Sequence, residues 1–526
     1  MGLGKILKTI ALAIAASALF SLPAQAGDWS RADTHHFTIY SDGKASQLED
    51  FAHELEKFDA LLRALWNIPV LDRPQKLTIF MVSSSEEVEK LHGGTNVAGF
   101  YMPRTDGSFA VANRERGSSR SNLTGQEVLF HEYAHHFMFN NFSIPAPSWF
   151  VEGYAEFVAT AQFKKNGQWI FGQPAYHRAA EVEYINAPSI EELLTYGSED
   201  GPDRMRSNFY GWSWALTHML YMDRGDGGGS IVRYLNHINR GEDSLSAAGA
   251  AFGDIDQLES DLRSYVKRRM EAKKSPNPIA YRDRITVVEL DGFHSRLAEL
   301  TMQRMAGYEL AKTRDELAEL AAGPGANADS WYQLARTEKS LAEEAIEEAE
   351  TAEGESDEAK TADTPVDYAA AEAALDRALA LDPDHGHANV EKGRLVMLRL
   401  ADEGEWGDEQ WAEARNYIVR ANRANPLDPY ALYHFAQSYT RRGDYNEQVA
   451  TALHAAFEGA PEATEVRIAY AFDLANRGQF PAAIKILEVL ANHPHYRAAG
   501  RAALNRVLQM QNGGVPVLAM DDVAVE

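Results

Sequence analysis

The chain has 526 residues, of which 45% are apolar and 10% aromatic, so it can bury sizeable cores in more than one domain, and wholesale disorder is excluded. Its 77 Asp and Glu against 51 Lys and Arg leave a formal charge of -26, which argues against a nucleic-acid partner or a polybasic hold on anionic lipid. The absence of cysteine removes disulfides, thiolate metal sites and cysteine nucleophiles together, so any metal must rest on His and carboxylate.

The amino terminus reads as an address. Lys5 and Lys8 precede the apolar run from Ile10 to Phe20, and Ala24-Gln25-Ala26 supplies the small residues a signal peptidase accepts. Residues 1–26 are therefore expected to be a bacterial-type signal peptide, with an exported chain, periplasmic or secreted, starting near Gly27. The run is short for a membrane span and no second one follows, so no stable span is expected after cleavage.

From Gly27 to about Arg120 strand and helix patterns alternate. Phe37-Thr38-Ile39-Tyr40 has strand composition, Gln47 to Trp66 has helical apolar spacing, and Leu77 to Val82 is a second β run. Ala98 to Ala112 reads as two short strands turned at Asp106-Gly107, a hairpin that can end the sheet and leave an open edge. From Thr124 to about Tyr265 nearly every segment is helical in pattern.

Thr124-Gly125-Gln126-Glu127 has the form of a capping box, and Val128, Phe130, Ala134, Phe137 and Met138 continue it as a helix. That helix carries His131-Glu132-Tyr133-Ala134-His135. Two histidines four residues apart project from one face, so their imidazoles can converge on one ion with Glu132 beside them. His136 points about 100° away and is left out of the site.

A missing ligand is supplied after the turn at Pro145 and Pro147, in Ser148-Trp149-Phe150-Val151-Glu152-Gly153-Tyr154-Ala155-Glu156. Ser148 is placed to cap this second helix. Two helices joined by a short turn can pack antiparallel, which brings Glu152 opposite the histidine pair and gives a His, His, Glu set. Glu156 lies one turn later on the same face, although a solvated surface carboxylate would look the same. Further on, Gly225-Asp226-Gly227-Gly228-Gly229-Ser230 lacks the lysine of a phosphate-binding loop and is read as a flexible turn.

The proline-punctuated stretch around Lys273-Lys274-Ser275-Pro276-Asn277-Pro278 marks a domain boundary. Residues 27–274 are assigned to the first domain, 275–292 to a linker, 293–510 to a helical repeat domain and 511–526 to a disordered tail. Within the repeats, prolines 324, 383, 426, 461 and 494 close successive helix pairs, and the turn glycines Gly443 and Gly478 are 35 residues apart. The longer gaps hold polar insertions, the acidic run Glu343 to Asp363, read as solvated, and the segment Glu403 to Gln410.

The pairing of His131-Glu132-Tyr133-Ala134-His135 with Trp149-Phe150-Val151-Glu152-Gly153-Tyr154-Ala155-Glu156 resembles the gluzincin metallopeptidases, particularly the peptidase MA-like group, over residues 35–270. The repeats resemble the tetratricopeptide family. Together these resemblances imply an α+β zincin-like catalytic domain, a small mixed sheet plus the two motif helices, followed by an all-α tetratricopeptide-like solenoid. They imply that His131, His135 and Glu152 bind Zn2+, that Glu132 is the general base, and that Glu156 orients a ligating imidazole from behind. Phe209-Tyr210-Gly211-Trp212-Ser213-Trp214 resembles the group's later helix, which makes Tyr210 the candidate for stabilising the oxyanion, with His218 a weaker one; a buried aromatic is the bland alternative. Sixteen residues separate His135 from Glu152, slightly fewer than in the aminopeptidase branch, so aminopeptidase specificity is not carried over.

The expected function is that of an exported zinc metallopeptidase acting on a peptide or protein substrate, with repeats that recruit this substrate or a protein partner. The alternatives are an inactive envelope scaffold that works through its repeats, and a zinc hydrolase that is not a peptidase.

Overall fold

The structure is a computed structural model that describes residues 29–71, 75–95, 97–115, 123–183, 187–196, 208–353, 366–493 and 495–513. The signal peptide assigned to 1–26, the second half of the acidic run, Pro494 and nearly all of the tail lie outside the described residues.

The amino-terminal half is built on a small mixed sheet. In chain order its strands are β1 (Ser30–Asp33), β2 (Phe37–Ser41), β3 (Leu77–Val82), β4 (Gly99–Met102) and β5 (Phe109–Asn113). β2, β3 and β5 are parallel neighbours, whereas β4 pairs antiparallel with β5 and forms one edge, as the hairpin reading requires. Helix α1 (Ala45–Trp66) crosses between β2 and β3, and α2 (Ser85–His92) between β3 and β4. The strands are rich in β-branched and aromatic residues, and alternation sends Phe37, Ile39, Ile79, Ala110 and Ala112 to the face covered by α1.

Further helices and three short strands complete this half among the described residues. They are α3 (Gly125–Asn141), α4 (Ser148–Ala159), β6 (Gln162–Phe163), β7 (Trp169–Phe171), α5 (Ala179–Glu183), α6 (Ile190–Thr195), α7 (Phe209–Met222), α8 (Gly229–Asn239), α9 (Ser244–Phe252), α10 (Ile255–Tyr265) and β8 (Lys273–Ser275). Thr124 and Glu127 close the capping box at the start of α3. α4 differs from expectation at its start: the backbone of Pro147 occupies the cap position, and Ser148 is the first helical residue. Every residue of α4 is buried, because α3 packs on one side and α7 on another. Gly153 permits the second contact, since a Cβ there would meet the carbonyl oxygen of Ser213 at 2.3 Å.

The segment read as a linker is not one. β8 adds to β7, and a further strand, β9 (Thr286–Glu289), pairs antiparallel with β1 and forms the other edge of the main sheet. Four consecutive residues compatible with a strand, Thr286-Val287-Val288-Glu289, find a free edge in β1, and edge pairing satisfies backbone groups that would otherwise need water.

The carboxy-terminal half is a helical solenoid. Its helices span Gly292–Ala306, Leu310–Ala322, Ala328–Glu353, Ala369–Leu381, Gly386–Asp402, Asp408–Ala424, Pro429–Thr440, Glu447–Gly459, Thr464–Asn476, Phe480–Ala491 and Arg497–Gln511. Each of prolines 324, 383, 426 and 461 falls between two pairs, and Gly443 and Gly478 turn within pairs with φ of 74° and 75°, where a side chain would be strained. Small residues at the pair interfaces, Ala436, Ala452, Ala471 and Ala483 among them, are buried.

The solenoid does not stand apart. Ala298 and Met302 of its first helix share one apolar cluster with Trp29, Phe80, Val82, Phe109 and Val111 on the second face of the sheet. The tip of the β4–β5 hairpin reaches the solenoid: Arg336 contacts Asp106 at 2.6 Å, Ser108 Oγ donates to Glu462 at 3.0 Å, and the backbone N–H of Thr105 donates to Glu465 at 3.0 Å.

Candidate active site

α3 and α4 bring the predicted ligand set together. The Nε2 atoms of His131 and His135 are 3.0 Å apart, and each lies 3.4 Å from Oε2 of Glu152. Ligand atoms held tetrahedrally at about 2.0–2.1 Å from an ion are about 3.3 Å from one another, so the three separations match what such an ion requires. Glu152 is 1% exposed, and among the described residues neither of its carboxylate oxygens accepts a hydrogen bond. A buried anion without donors is costly, and a cation at this point would remove the cost. The three residues therefore fit a metal ion in donor type, distance and charge.

Charge in the site follows the same logic. Burial opposes ionisation of Glu152, but His135 and His131 outweigh it and hold the carboxyl well below the usual range. Burial also disfavours a charged His131; Glu152 and Glu156 reverse this and raise it to about 9, which shows how strongly the local field favours positive charge. Glu132 is half-buried, and that burial pushes its carboxyl up to about 7.

Glu156 stands behind the set, with Oε1 3.4 Å from Nδ1 of His131. Its other partners were not foreseen: His177 Nε2 lies 2.9 Å from Oε2, and Arg178 Nε donates to Oε1 at 3.1 Å while its Nη1 pairs with Glu181 at 2.8 Å. Burial alone would raise the Glu156 carboxyl; Arg178 and His131 instead keep it ionised. No periodicity announces His177 and Arg178, which sit in the single helical turn Tyr176–Arg178 just before α5, and only the adjacency of two basic residues after the motif could have hinted at them. His135 has no such support among the described residues, where its buried Nδ1 finds no hydrogen-bond partner.

Tyr210, at the start of α7, lines the same cleft of about 640 Å³ as the ligand set, Glu132, Glu156 and strand β4. The negative charge of Glu152, then burial, raises its hydroxyl above the ordinary value, so it carries its proton at neutral pH, and Arg178 lies over its ring at 4.9 Å. His218 is elsewhere. It is fully buried between the hydroxyl of Tyr265 at 2.7 Å and the carbonyl of Gly172 at 2.9 Å, and burial lowers it to about 4, so it is a neutral packing residue and not an oxyanion donor.

Behind α3 a buried network fixes the motif helix to α1. Tyr133 donates to Asp59 at 2.6 Å, Arg63 donates to the other Asp59 oxygen at 2.7 Å, and His36 pairs with Glu56 at 2.9 Å. His36, Glu56 and Asp59 also converge as a metal set would, but the Arg63 guanidinium already neutralises Asp59. His136, set aside in the sequence reading, faces away from the ligand set toward the hydroxyl of Tyr101 at 3.0 Å and Asn140 at 3.1 Å.

No family model and no curated protein matches the chain. Two solved structures to which it is similar are a mutant form of MamA (13% identity, 38% of this chain and 94% of that one, TM-score 0.24) and "MamA MSR-1 C2" (10% identity, 42% and 97%, TM-score 0.23). At such scores the likeness extends to helical character and carries no functional argument.

Proposed function

We propose that this protein is an exported zinc-dependent metallopeptidase with a zincin-like catalytic domain and a tetratricopeptide-like repeat domain. The observation that carries the reading is the convergence of His131, His135 and Glu152 at 3.0 to 3.4 Å with the half-buried Glu132 lining the same cleft. Zn2+ would be held by those three side chains, and when bound it supplies Lewis acidity and a water of pKa near 7.

The chain's own residues account for the remaining requirements. Glu132, with a carboxyl near 7, is matched to taking a proton from water at neutral pH and returning it to the leaving amine. Glu156 orients His131 through Nδ1 and thereby presents Nε2 to the ion. Tyr210 carries a proton to donate to a developing oxyanion. The open edge of β4 lines the cleft, so an extended peptide can add to it as an antiparallel strand and be aligned through its backbone. Among the described residues no helix is long and apolar enough to cross a membrane.

The deciding experiment combines elemental analysis with a peptide-library digest. The full mature chain should hold about one zinc, His131→Ala should lose it, and Glu132→Gln should keep it while hydrolysis falls about a hundredfold or more. Equal metal content in the wild type and His131→Ala sinks the site; unchanged turnover in Glu132→Gln removes that residue from its role.

A further inference from the structure

The cleft has a wall that the first domain does not supply. His493, His495 and Tyr496, from the connection between the last two solenoid helices, line it together with the ligand set. This connection is fastened to both ligand helices. The ring of buried His493 stacks on Phe139 of α3 with 3.8 Å between centroids, one turn beyond His135. Nδ1 of His493 accepts the backbone N–H of His495 at 3.0 Å and of Tyr496 at 3.3 Å, so that nitrogen is unprotonated and the backbone is held in place. Arg497 donates to Ser148 Oγ at 2.6 Å, at the first residue of α4.

Between these two anchors stands His495. Its Nε2 is 3.7 Å from Oε1 of Glu152, the carboxylate oxygen that is not turned to the histidine pair, and its ring centroid is 6.1 Å from that of His135. Yet 58% of its side-chain surface is exposed. An anchored backbone that presents an exposed imidazole to a buried ligand set does not need that imidazole for packing. Nor does Nε2 belong to the converging set, whose members are His131, His135 and Glu152.

We propose that His495 is a catalytic residue contributed by the last repeat: its ring N–H donates to the carbonyl oxygen of the bound peptide next to the metal-ligand set, and the cleft is complete only with the solenoid docked. The inference rests on the peptidase reading. A hydrogen bond from this position strengthens as the carbonyl oxygen gains negative charge, so it favours the tetrahedral state over the planar amide. The solenoid then does two things at once, since the segment that closes the cleft also ties α3 to α4.

The test uses the full zinc-loaded chain and compares wild type, His495→Ala and His495→Gln. Zinc affinity, read by chelator competition, and melting temperature should be unchanged, because the side chain is exposed and not a ligand. Binding is then read by calorimetry in the Glu132→Gln background with two probes, a pool of phosphinic tripeptides, which mimic the tetrahedral state, and the corresponding ketomethylene peptides, which are planar. His495→Ala should weaken the phosphinic pool about thirtyfold and the planar pool less than threefold, with partial recovery in His495→Gln, which keeps a donor; in the active chain kcat should fall with KM little changed. If wild type and His495→Ala bind both pools alike, the role of His495 is overturned while the peptidase reading stands. If His495→Ala instead loses zinc affinity and gains turnover, His495 is a blocking ligand and the proposal is wrong. Failure of the wild-type chain to bind the phosphinic pool or to cleave any peptide would bring down the peptidase reading, and this proposal with it.

Discussion

His131 Nδ1 lies 3.4 Å from Oε1 of Glu156, Arg178 donates to that same oxygen at 3.1 Å, and His177 lies 2.9 Å from Oε2. One anion thus faces a candidate metal ligand while two basic residues hold that anion. Both basic residues belong to a short helical turn ahead of α5 that contributes no ligand itself.

From this relationship Glu156→Gln should lower zinc affinity about ten- to a hundredfold, as losses of an orienting carboxylate do. Arg178 would also lose its buried counter-charge, so the melting temperature should fall with it. Chelator competition measures the first and calorimetry the second; unchanged zinc affinity would mean that His131 needs no support from Glu156.

The parts of the site legible in the sequence are those fixed by local spacing. His131 and His135 share a helix face whatever surrounds them, and a short proline turn leaves α4 few ways to lie except against α3. The prolines at 324, 383, 426 and 461 mark solenoid turns for the same local reason. Non-local pairing is what escaped. Thr286 to Glu289 is only four residues, flanked by Ile285 and Leu290, and it is the free edge of β1, more than 250 residues earlier, that makes it a strand. His495 reaches the cleft because the solenoid curves back to α3, a path that no repeat motif encodes. His218 shows the opposite error: an imidazole on a promising helix is buried on Gly172 and Tyr265.

Gly153 gives a packing test of the site. Its backbone lies against the Ser213 carbonyl, and a methyl group there would sit at 2.3 Å from that oxygen and 2.5 Å from the Thr217 hydroxyl, so α4 and α7 must separate. Gly153→Ala should cost about 1 to 3 kcal/mol by overpacking and displace the adjacent Glu152. A lower melting temperature together with weaker zinc binding is the expected pair of results. A destabilised protein with normal zinc affinity would show that α4 shifts as a rigid unit with its ligand.

The hairpin tip should be acid-sensitive. Burial would raise the Asp106 carboxyl, but Arg336 at 2.6 Å, with Arg104, Arg304 and His387 around it, lowers it well below the ordinary aspartate value. Arg336 is itself held by Glu391 at 3.1 Å. Since the folded-state pKa is depressed, this carboxylate contributes stability that is fully present above about pH 4, the unfolded value, and is lost as the pH falls below it. Arg336→Met strands Asp106 and should cost about 3 to 5 kcal/mol at pH 7, with a smaller penalty at about pH 3. Melting curves across that range test it; an equal penalty at both ends would assign the loss to packing rather than charge.

The last prediction concerns whether the catalytic half can stand alone. If the repeats only recruited a substrate or partner, a chain ending near Lys274 would keep its metal and cleave short peptides. The contacts argue otherwise. Such a chain lacks β9, which leaves β1 as an open edge, and it uncovers Trp29, Phe80, Phe109 and Val111, which Ala298 and Met302 help to bury. Each large apolar side chain returned to water forfeits up to about 1.5 to 3 kcal/mol, and a total stability of about 5 to 15 kcal/mol does not survive several such losses. It also lacks Arg467, which donates to the Phe139 carbonyl at 3.3 Å near the end of α3. The truncated chain should therefore be insoluble or molten, with near-ultraviolet circular dichroism lost and zinc bound weakly if at all. A chain ending after Ala322 restores β9 and the cover supplied by Ala298 and Met302, and should recover the fold, with zinc held more weakly than in the full chain because Arg467 and the wall supplied by residues 493–497 are still missing. A well-folded, fully active chain ending at Lys274 would show that the solenoid only rests against the catalytic domain.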